Sequence, residues 1–275
     1  MESGIRRLAK RLLAPVVSLL RSRKVARKAE FVLSASGDRK AEFCRLGFGA
    51  DRIHPFGYFP DYPERTNERK IDPGPLRLLC IGYLEPFKGQ DLLIDAVALL
   101  RTRGVDVSVT ITGFGSTERQ LRRQAERLGL NDSVEFAGVV SDERLAELFG
   151  TSSAFVAPGR EEPWGIRINE ALLSGLPVVV SDKVGAKVLV ELSGAGEVFR
   201  SGSTHSLADA LERVQRRLCQ DNELADILHR FRPTITPLAA ADFLDRVIAI
   251  QEGVGNRHPI PAWHKADWKR SAEPA

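Results

Sequence analysis

The chain of 275 residues has the composition of a soluble globular α/β protein, with 43% hydrophobic residues, 28% charged residues and a net charge of +4. This length predicts one or two domains with ample apolar material for a core. Its three cysteines, Cys44, Cys80 and Cys219, lie far apart and fit neither a zinc site nor a disulfide framework, which indicates free thiols in a reducing cytoplasm.

The basicity belongs to residues 1–28, where nine Lys or Arg residues face one Glu, giving +8 and leaving −4 for the rest. Apolar residues recur there at helical spacing, with an interruption at Pro15. The apolar run from Leu12 to Leu20 is shorter than the roughly 20 residues that span a bilayer, and no small-residue cleavage site follows it. Three alternatives stay open for this helix: it docks on its own protein, it binds the anionic inner surface of the membrane, or it binds a partner chain.

Residues 30–57 predict a short strand at 31–34, a helix at 38–46 and a second strand at 52–56. Two short strands cannot make an independent core, so residues 1–57 are interpreted as a partial N-terminal α/β segment. The stretch 58–75 contains four prolines and several charges, which is typical of a linker.

Beyond residue 75 the pattern alternates between short apolar strands and amphipathic helices. Strands are predicted at 76–81, 105–112, 134–137, 154–157 and 178–180, and helices at 89–101, 117–128, 142–149 and 166–173. Repeated βα units of this length predict a Rossmann-like, doubly wound parallel sheet over residues 76–220, with ligands at the carboxyl ends of its strands. Residues 221–275 are predicted to form C-terminal helices, at 224–231 and 239–252, and a tail with Trp263 and Trp268.

Five loops at the strand ends are candidate ligand contacts, those that follow residues 81, 112, 137, 157 and 180. After the first strand, Gly82 permits close approach of a ligand, and Lys88, at the start of a helix, can meet an anionic diphosphate. After the second strand, the Gly113-Phe-Gly115 sequence lacks the third glycine of a dinucleotide fingerprint, because Glu118 stands there. A nicotinamide cofactor is therefore not expected.

Other classes of ligand are disfavoured by the same sequence. No Asp-x-Asp or paired-His spacing occurs, and the five histidines are scattered, so no metal site is predicted. Nucleic acid is also a poor candidate, because no basic patch outside the first segment is interleaved with aromatic residues.

The stretch from Pro158 to Asp182 predicts a loop, a helix, a tight turn and a buried strand. Glu162 lies in the loop, Gly165 precedes the helix, and Glu170 projects from about its second turn. A helix start offers free N–H groups and a positive dipole end, which suits a phosphate. A carboxylate one turn further in suits a sugar diol.

Glu162 and Glu170 are embedded in Pro-Trp-Gly, in Asn-Glu-Ala-Leu and in Gly-Leu-Pro-Val-Val-Val-Ser-Asp. This arrangement resembles the donor-site signature of retaining glycosyltransferases of the GT-B fold, family four. The resemblance covers roughly residues 76–218. It implies that this region is the C-terminal donor domain of such an enzyme, that the N-terminal domain is truncated, and that a nucleotide-diphospho-sugar is bound without an essential metal.

The resemblance also implies roles for individual residues. Glu162 would contact the donor sugar and the charge that develops at its anomeric carbon, while Glu170 would bind the ribose hydroxyls. The backbone amides of Ile166 and Arg167, together with Lys88, would hold the diphosphate. Glu162 and Lys88 are therefore the expected catalytic residues.

The loops of the family that line the nucleotide correspond here to Gly113 and to the Gly138-Val139 turn, which lies beside the base. The chain departs from the family at Tyr83, where the family commonly has an Arg that clamps the diphosphate. Half of the usual cationic clamp is then absent, and Arg167 is a candidate to compensate for it.

The predicted function is transfer of a sugar, with retention of configuration, to an unknown acceptor in polysaccharide or glycolipid assembly. An alternative is a non-catalytic or incomplete nucleotide-sugar-binding subunit that needs a partner chain with the acceptor domain. Because only about 75 residues precede the donor domain, we expect the chain to bind donor and to transfer little sugar alone.

Overall fold

The computed structural model of the chain describes residues 21–35, 40–62, 74–220, 223–254 and 259–264. The chain divides into two compact units, one of residues 1–57 with 244–259, the other of residues 58–243 with 260–275. Most of the basic amphipathic segment, residues 1–20, and most of the predicted linker, residues 63–73, lie outside the described residues, as does Trp268.

The smaller unit contains a short parallel strand pair. Residues 21–28 are helical (α1), and they are followed by strand β1 (Val32–Ser34), helix α2 (Lys40–Arg45), a 3₁₀ turn (Ala50–Arg52) and strand β2 (Ile53–Pro55). The strands pair in parallel with Val32 opposite Ile53 and Ser34 opposite Pro55. The Arg52 guanidinium donates to the Ala29 carbonyl at 2.8 Å, which ties β2 to the end of α1.

The larger unit is an alternation of strands and helices, as the sequence predicted. Its strands are β3 (Leu76–Ile81), β4 (Val107–Thr112), β5 (Val134–Gly138), β6 (Ala154–Ala157), β7 (Val178–Ser181) and β8 (Gly196–Phe199). Its helices are α3 (Gln90–Thr102), α4 (Glu118–Arg127), α5 (Asp142–Thr151), α6 (Ile166–Leu173), α7 (Lys187–Ser193), α8 (Thr204–Gln220), α9 (Glu223–Phe231) and the start of α10 (Pro237–Gln251), whose residues from 244 on belong to the smaller unit.

All six strands are parallel and lie in the order β5-β4-β3-β6-β7-β8. The chain starts in the middle of the sheet at β3, builds outward to β5, returns to β6 beside β3, and builds outward again to β8. The order reverses between β3 and β6, and loops that leave the sheet there diverge and open a crevice. The doubly wound, Rossmann-like fold class is thus confirmed.

The sheet is covered by helices, so strands β6 and β7 consist almost entirely of apolar residues. All four residues of β7 are buried, and α3 turns Leu93, Val97 and Leu100 towards the core. Trp263 is buried as well, with its ring centroid 4.6 Å from that of Phe59 and 5.6 Å from that of Phe243. Within the described ranges, no helix is long and apolar enough to cross a membrane.

Candidate functional site

A cavity of about 380 Å³ lies at the carboxyl edge of the larger unit's sheet, where the strand order reverses. It is lined by the loops that follow β3, β4, β5 and β6 and by the first turn of α6. Ten of the eleven residues predicted from the sequence are among the lining residues: Gly82, Tyr83, Lys88, Gly113, Gly138, Val139, Glu162, Gly165, Ile166 and Arg167. The structure therefore brings the predicted loops together around one cavity.

Lys88 and Glu162 form an ion pair in this cavity. Lys88 ends a 3₁₀ turn (Pro86–Lys88) that leads into α3, and Glu162 lies in the loop between β6 and α6. The Lys88 Nζ is 2.7 Å from Glu162 Oε1, and the two side chains are 18% and 23% exposed. A charge-assisted hydrogen bond of this length in a partly dehydrated site is strong. The pair places a mobile cation and a carboxylate side by side.

The loop that carries Glu162 is fixed to the loop that follows β7. The Glu162 amide donates to the Lys183 carbonyl at 3.2 Å, and the Gly185 amide donates to the Glu162 carbonyl at 3.0 Å. Trp164 is buried, and its indole N–H donates to Asn169 Oδ1 at 2.8 Å. The main chain of Glu162 thus anchors its loop to the loop after β7, and the tryptophan of the Pro-Trp-Gly sequence fills the interior.

Helix α6 begins at the cavity. Gly165 precedes it with φ of 94°, and Ile166 and Arg167 form its first turn. Amides at such positions have no partner inside the helix, so they are available to an anion. The first turn of α6 and Lys88 therefore place positive charge on one side of the cavity.

Glu170 is the eleventh predicted residue, and it is not among the residues that line the cavity. It lies on the second turn of α6, is only 8% exposed, and accepts at Oε2 from Arg167 Nη1 at 2.5 Å. Arg167 does line the cavity. In this structure the arginine is the neighbour of the glutamate, and any ligand hydroxyl at Glu170 would compete with it.

The glycine of the β4 loop permits a close approach between loops. Gly113 has φ of 122°, and a Cβ there would overlap the Gly82 carbonyl. Its amide donates to the Gly138 carbonyl at 2.7 Å, so the loops after β3, β4 and β5 are in direct contact. Gly113 therefore lets main chains meet beside the cavity, where a side chain would not fit.

Sequence reasoning missed Phe114, which pairs with Tyr83 at the cavity. The two rings form a T-shaped contact with centroids 5.4 Å apart, and both side chains are more than half exposed, at 59% for Tyr83 and 57% for Phe114. Gln90 was also missed; its side-chain amide donates to the Tyr83 carbonyl at 2.9 Å. The exposed aromatic pair gives the cavity an apolar rim, and only the adjacency to Gly113 hinted at Phe114.

Cys80, at the end of β3, is another lining residue that the sequence did not single out. Burial raises the pKa of its thiol to about 12, because a thiolate would lose its hydration there. The group is therefore neutral at physiological pH and is neither a nucleophile nor an anion in the site. In the part of the chain that the structure describes, no three His, Cys, Asp or Glu residues are grouped so as to hold a metal ion.

The larger unit contains the match to a known protein family. Residues 61–225, which are 165 of the 275 residues, match the family described as glycosyl transferases group 1. The chain belongs to this family. The match spans every strand of the parallel sheet and both ends of the Glu162–Glu170 motif.

Curated relatives of this chain are named as sugar-transferring or sugar-phosphate-forming enzymes. Alpha-D-kanosaminyltransferase of Streptomyces kanamyceticus is 30% identical over 233 residues, which are 80% of this chain and 58% of the relative. Mannosylfructose-phosphate synthase of Agrobacterium fabrum is 36% identical over 212 residues, 72% of this chain and 43% of the relative. The chain spans about half the length of the curated relatives that it matches.

Solved structures share the fold at low sequence identity. HepE of Anabaena, crystallised in complex with UDP, superposes with a TM-score of 0.70 at 22% identity, covering 82% of this chain and 65% of its own. Sucrose-phosphate synthase of Thermosynechococcus elongatus superposes with a TM-score of 0.68 at 19% identity, covering 86% and 61%. These likenesses show the fold of the chain.

Proposed function

We propose that the cavity binds a nucleotide-diphospho-sugar and that the protein uses it as a donor in sugar transfer with retention of configuration. The observation that carries this proposal is the Lys88–Glu162 pair facing the first turn of α6 in a cavity at the sheet's switch point. A relative from Mycobacterium tuberculosis, 31% identical over 183 residues, is named a GDP-mannose-dependent mannosyltransferase. A second HepE structure is a complex with UDP-glucose.

The diphosphate binds between Lys88 and the amides of Ile166 and Arg167. A diphosphate carries charge that water would otherwise stabilise, and a helix start with an adjacent ammonium replaces that water with fixed positive groups. Lys88 donates to Glu162 at 2.7 Å, and the remaining N–H groups of its ammonium can donate to phosphate oxygens. The same groups stabilise the departing diphosphate when the sugar bond breaks, and no metal is needed for this role.

The sugar binds at Glu162. An ionised carboxylate only accepts hydrogen bonds, so it orients a hydroxylated ring and favours positive charge at the anomeric carbon. The hydrogen bonds between the Glu162 main chain and the loop after β7 keep this carboxylate in place. Glu162 and Lys88 act next to each other, the carboxylate at the sugar and the ammonium at the diphosphate.

The nucleoside binds across the loops after β4 and β5. Gly113 and Gly138 bring main chain to the surface there, and Val139 is exposed beside them as an apolar contact for a base. Glu170 accepts from the ribose hydroxyls once Arg167 turns towards the phosphates. Because the side chains of Tyr83 and Phe114 are exposed at the rim, they border this path.

Calorimetric titration with UDP, GDP and ADP, each beside its nucleoside, tests the donor site. We expect at least one nucleoside diphosphate to bind more tightly than its nucleoside, and we expect the affinity to survive removal of divalent metal by EDTA. Lys88→Met should abolish most of the preference for the diphosphate. Equal affinities for diphosphates and nucleosides would refute the proposal.

The reaction is tested separately. The chain is incubated with the sugar conjugate of the base that binds and with candidate glycolipid or oligosaccharide acceptors; because little transfer is expected from the chain alone, a small release of nucleoside diphosphate is the expected result. Proton NMR of the product should show the anomeric configuration of the donor. A product with inverted anomeric configuration would refute the retaining mechanism and would not affect the proposed binding site.

A membrane-surface location is a further part of the proposal. Helix α1 exposes Arg23, Lys24, Arg27 and Lys28. Each cation near an anionic bilayer contributes about 1 kcal/mol to binding. Co-sedimentation with vesicles containing phosphatidylglycerol should exceed that with phosphatidylcholine vesicles, and 0.5 M salt should abolish it. Equal sedimentation with both types of vesicle would refute the membrane-surface location and favour binding to a partner chain.

A further inference from the structure

Arg160 makes a set of contacts that surrounds Lys88. It lies two residues before Glu162, and its guanidinium binds Asp91 in a bidentate pair, with Nη1 to Oδ1 at 2.8 Å and Nη2 to Oδ2 at 2.6 Å. Nη1 also donates to the Pro86 carbonyl at 2.7 Å. One side chain from the Glu162 loop therefore reaches residues on both sides of Lys88.

The main chain continues the same connection. The Arg160 amide donates to the Phe87 carbonyl at 2.7 Å. Gly89, which follows Lys88, lies so close to Pro158 that a Cβ would overlap the Pro158 carbonyl. The loop after β3 and the loop after β6 are thus joined at several points next to the Lys88–Glu162 pair.

Fold stability alone does not account for this arrangement. The Arg160 and Asp91 side chains are both 39% exposed, and exposed ion pairs contribute little to the free energy of unfolding. A bidentate guanidinium–carboxylate pair does, however, fix geometry, because its two parallel hydrogen bonds allow one relative orientation. What it fixes here is the placement of Lys88 relative to Glu162.

We propose that Arg160, paired with Asp91, is a positioning residue that sets the affinity for the donor's diphosphate through Lys88. This inference rests on the proposed donor site. A hydrogen bond weakens steeply when its angle departs from linearity, so a small displacement of the Lys88 loop lowers the affinity for the phosphates. The nucleoside part of the ligand, on the loops after β4 and β5, does not depend on the pair.

The first test compares Arg160→Ala with the parent chain and with Arg103→Ala. Arg103 forms a similar exposed pair with Asp209, at 2.8 Å, and is not among the cavity-lining residues. We expect Arg160→Ala to bind the preferred diphosphate among UDP, GDP and ADP about tenfold more weakly, with unchanged affinity for the nucleoside. Arg103→Ala should match the parent in both, and all three should unfold at similar temperatures.

The second test separates positioning from a general structural role. In a Lys88→Ala background, Arg160→Ala should cause no further loss, because the interaction it positions is already gone. The charge-reversed double variant, Arg160→Asp with Asp91→Arg, should recover part of the affinity. A tenfold loss that persists without Lys88 would overturn the inference.

Hydrogen exchange of the ligand-free protein provides a readout that needs no nucleotide. Arg160→Ala should speed exchange of the amides of residues 84–89 and 160–165, and Arg103→Ala should not. If the parent chain bound none of the three diphosphates, the proposed donor site would be refuted. Unchanged amide exchange in Arg160→Ala would separately refute the connection between the loops. Parent-like affinity in Arg160→Ala would refute the positioning role while leaving the donor site standing.

Discussion

Lys88 Nζ and Glu162 Oε1 are 2.7 Å apart, although 74 residues separate them in the chain. The contact joins the loop after β3 to the loop after β6, the two loops that flank the switch point of the sheet. Each group supplies the counter-charge of the other. The contact keeps the carboxylate and the ammonium side by side, as their proposed roles at the sugar and at the diphosphate require.

Glu162→Gln is expected to separate binding from transfer. The amide keeps the shape of the carboxylate and removes its charge, so Lys88 remains free to bind phosphate and the charge at the anomeric carbon loses its stabilisation. Transfer should fall about a hundredfold or more, with the affinity for the nucleoside diphosphate retained. Glu161→Gln, at the exposed neighbouring position, is the matched control and should change neither quantity.

Glu170→Ala is expected to weaken nucleotide binding. Each hydrogen bond from a ribose hydroxyl to a charged carboxylate contributes about 1.5–3 kcal/mol, so the affinity should fall by roughly tenfold to several hundredfold. Glu147→Ala is the control, because Glu147 forms an ion pair of the same i, i+3 spacing with Arg144 on α5. Calorimetry measures the nucleotide affinity of the folded variant. An unchanged affinity would show that Glu170 does not contact the nucleotide.

Tyr83→Arg is expected to tighten nucleoside diphosphates more than nucleosides. The guanidinium can bind phosphate oxygens through two parallel hydrogen bonds, which tyrosine cannot do. Leu128→Arg adds the same charge at an exposed position that is not among the cavity-lining residues, and it serves as the control for general attraction of anions. If Tyr83→Arg improved diphosphates and nucleosides equally, the loop after β3 would not face the phosphates.

Local pattern was sufficient for much of this fold. The strand at residues 76–81 and the helix at 166–173 occupy the predicted residues, because glycine, proline and apolar runs mark their ends. The parallel order followed from the alternation of strand and helix, and it places the strand-end loops at one edge. This is why ten predicted residues line one cavity.

Contacts between distant residues could not be predicted in this way. The pairing of Arg160 with Asp91 joins two charged residues that each look like ordinary surface positions in the sequence. Trp263 packs on Phe59 across about 200 residues, and no local pattern connects them. Glu170 was expected at the ligand, yet its orientation depends on a rotamer choice of Arg167 that spacing does not reveal. Helix α10 has one continuous sequence pattern, so the sequence does not show that its residues belong to two compact units.

Cys80 is expected to resist alkylation in the native protein. Its pKa of about 12 lies above the ordinary thiol value, so the reactive thiolate is scarce at pH 8, whereas Cys44 and Cys219 are exposed. Iodoacetamide at pH 8 should label the two exposed cysteines within minutes and label Cys80 only after guanidinium unfolding. Peptide mass spectrometry gives the three rates, and native labelling of Cys80 as fast as Cys44 would contradict the burial.

Gly89→Ala is expected to destabilise the protein and to disturb the loop that carries Lys88. Gly89 has φ of 72°, and a Cβ there would overlap the Pro158 carbonyl. Gly104→Ala is a close control, because Gly104 has φ of 79° and a Cβ there would have no atom within 4 Å among the described residues. The left-handed conformation should cost both variants about 1–2 kcal/mol, so any excess in Gly89→Ala measures the contact between the loops. Urea unfolding should show that excess, and diphosphate affinity should fall in Gly89→Ala alone. Equal unfolding midpoints and equal affinities would mean that the loops after β3 and β6 are free to separate.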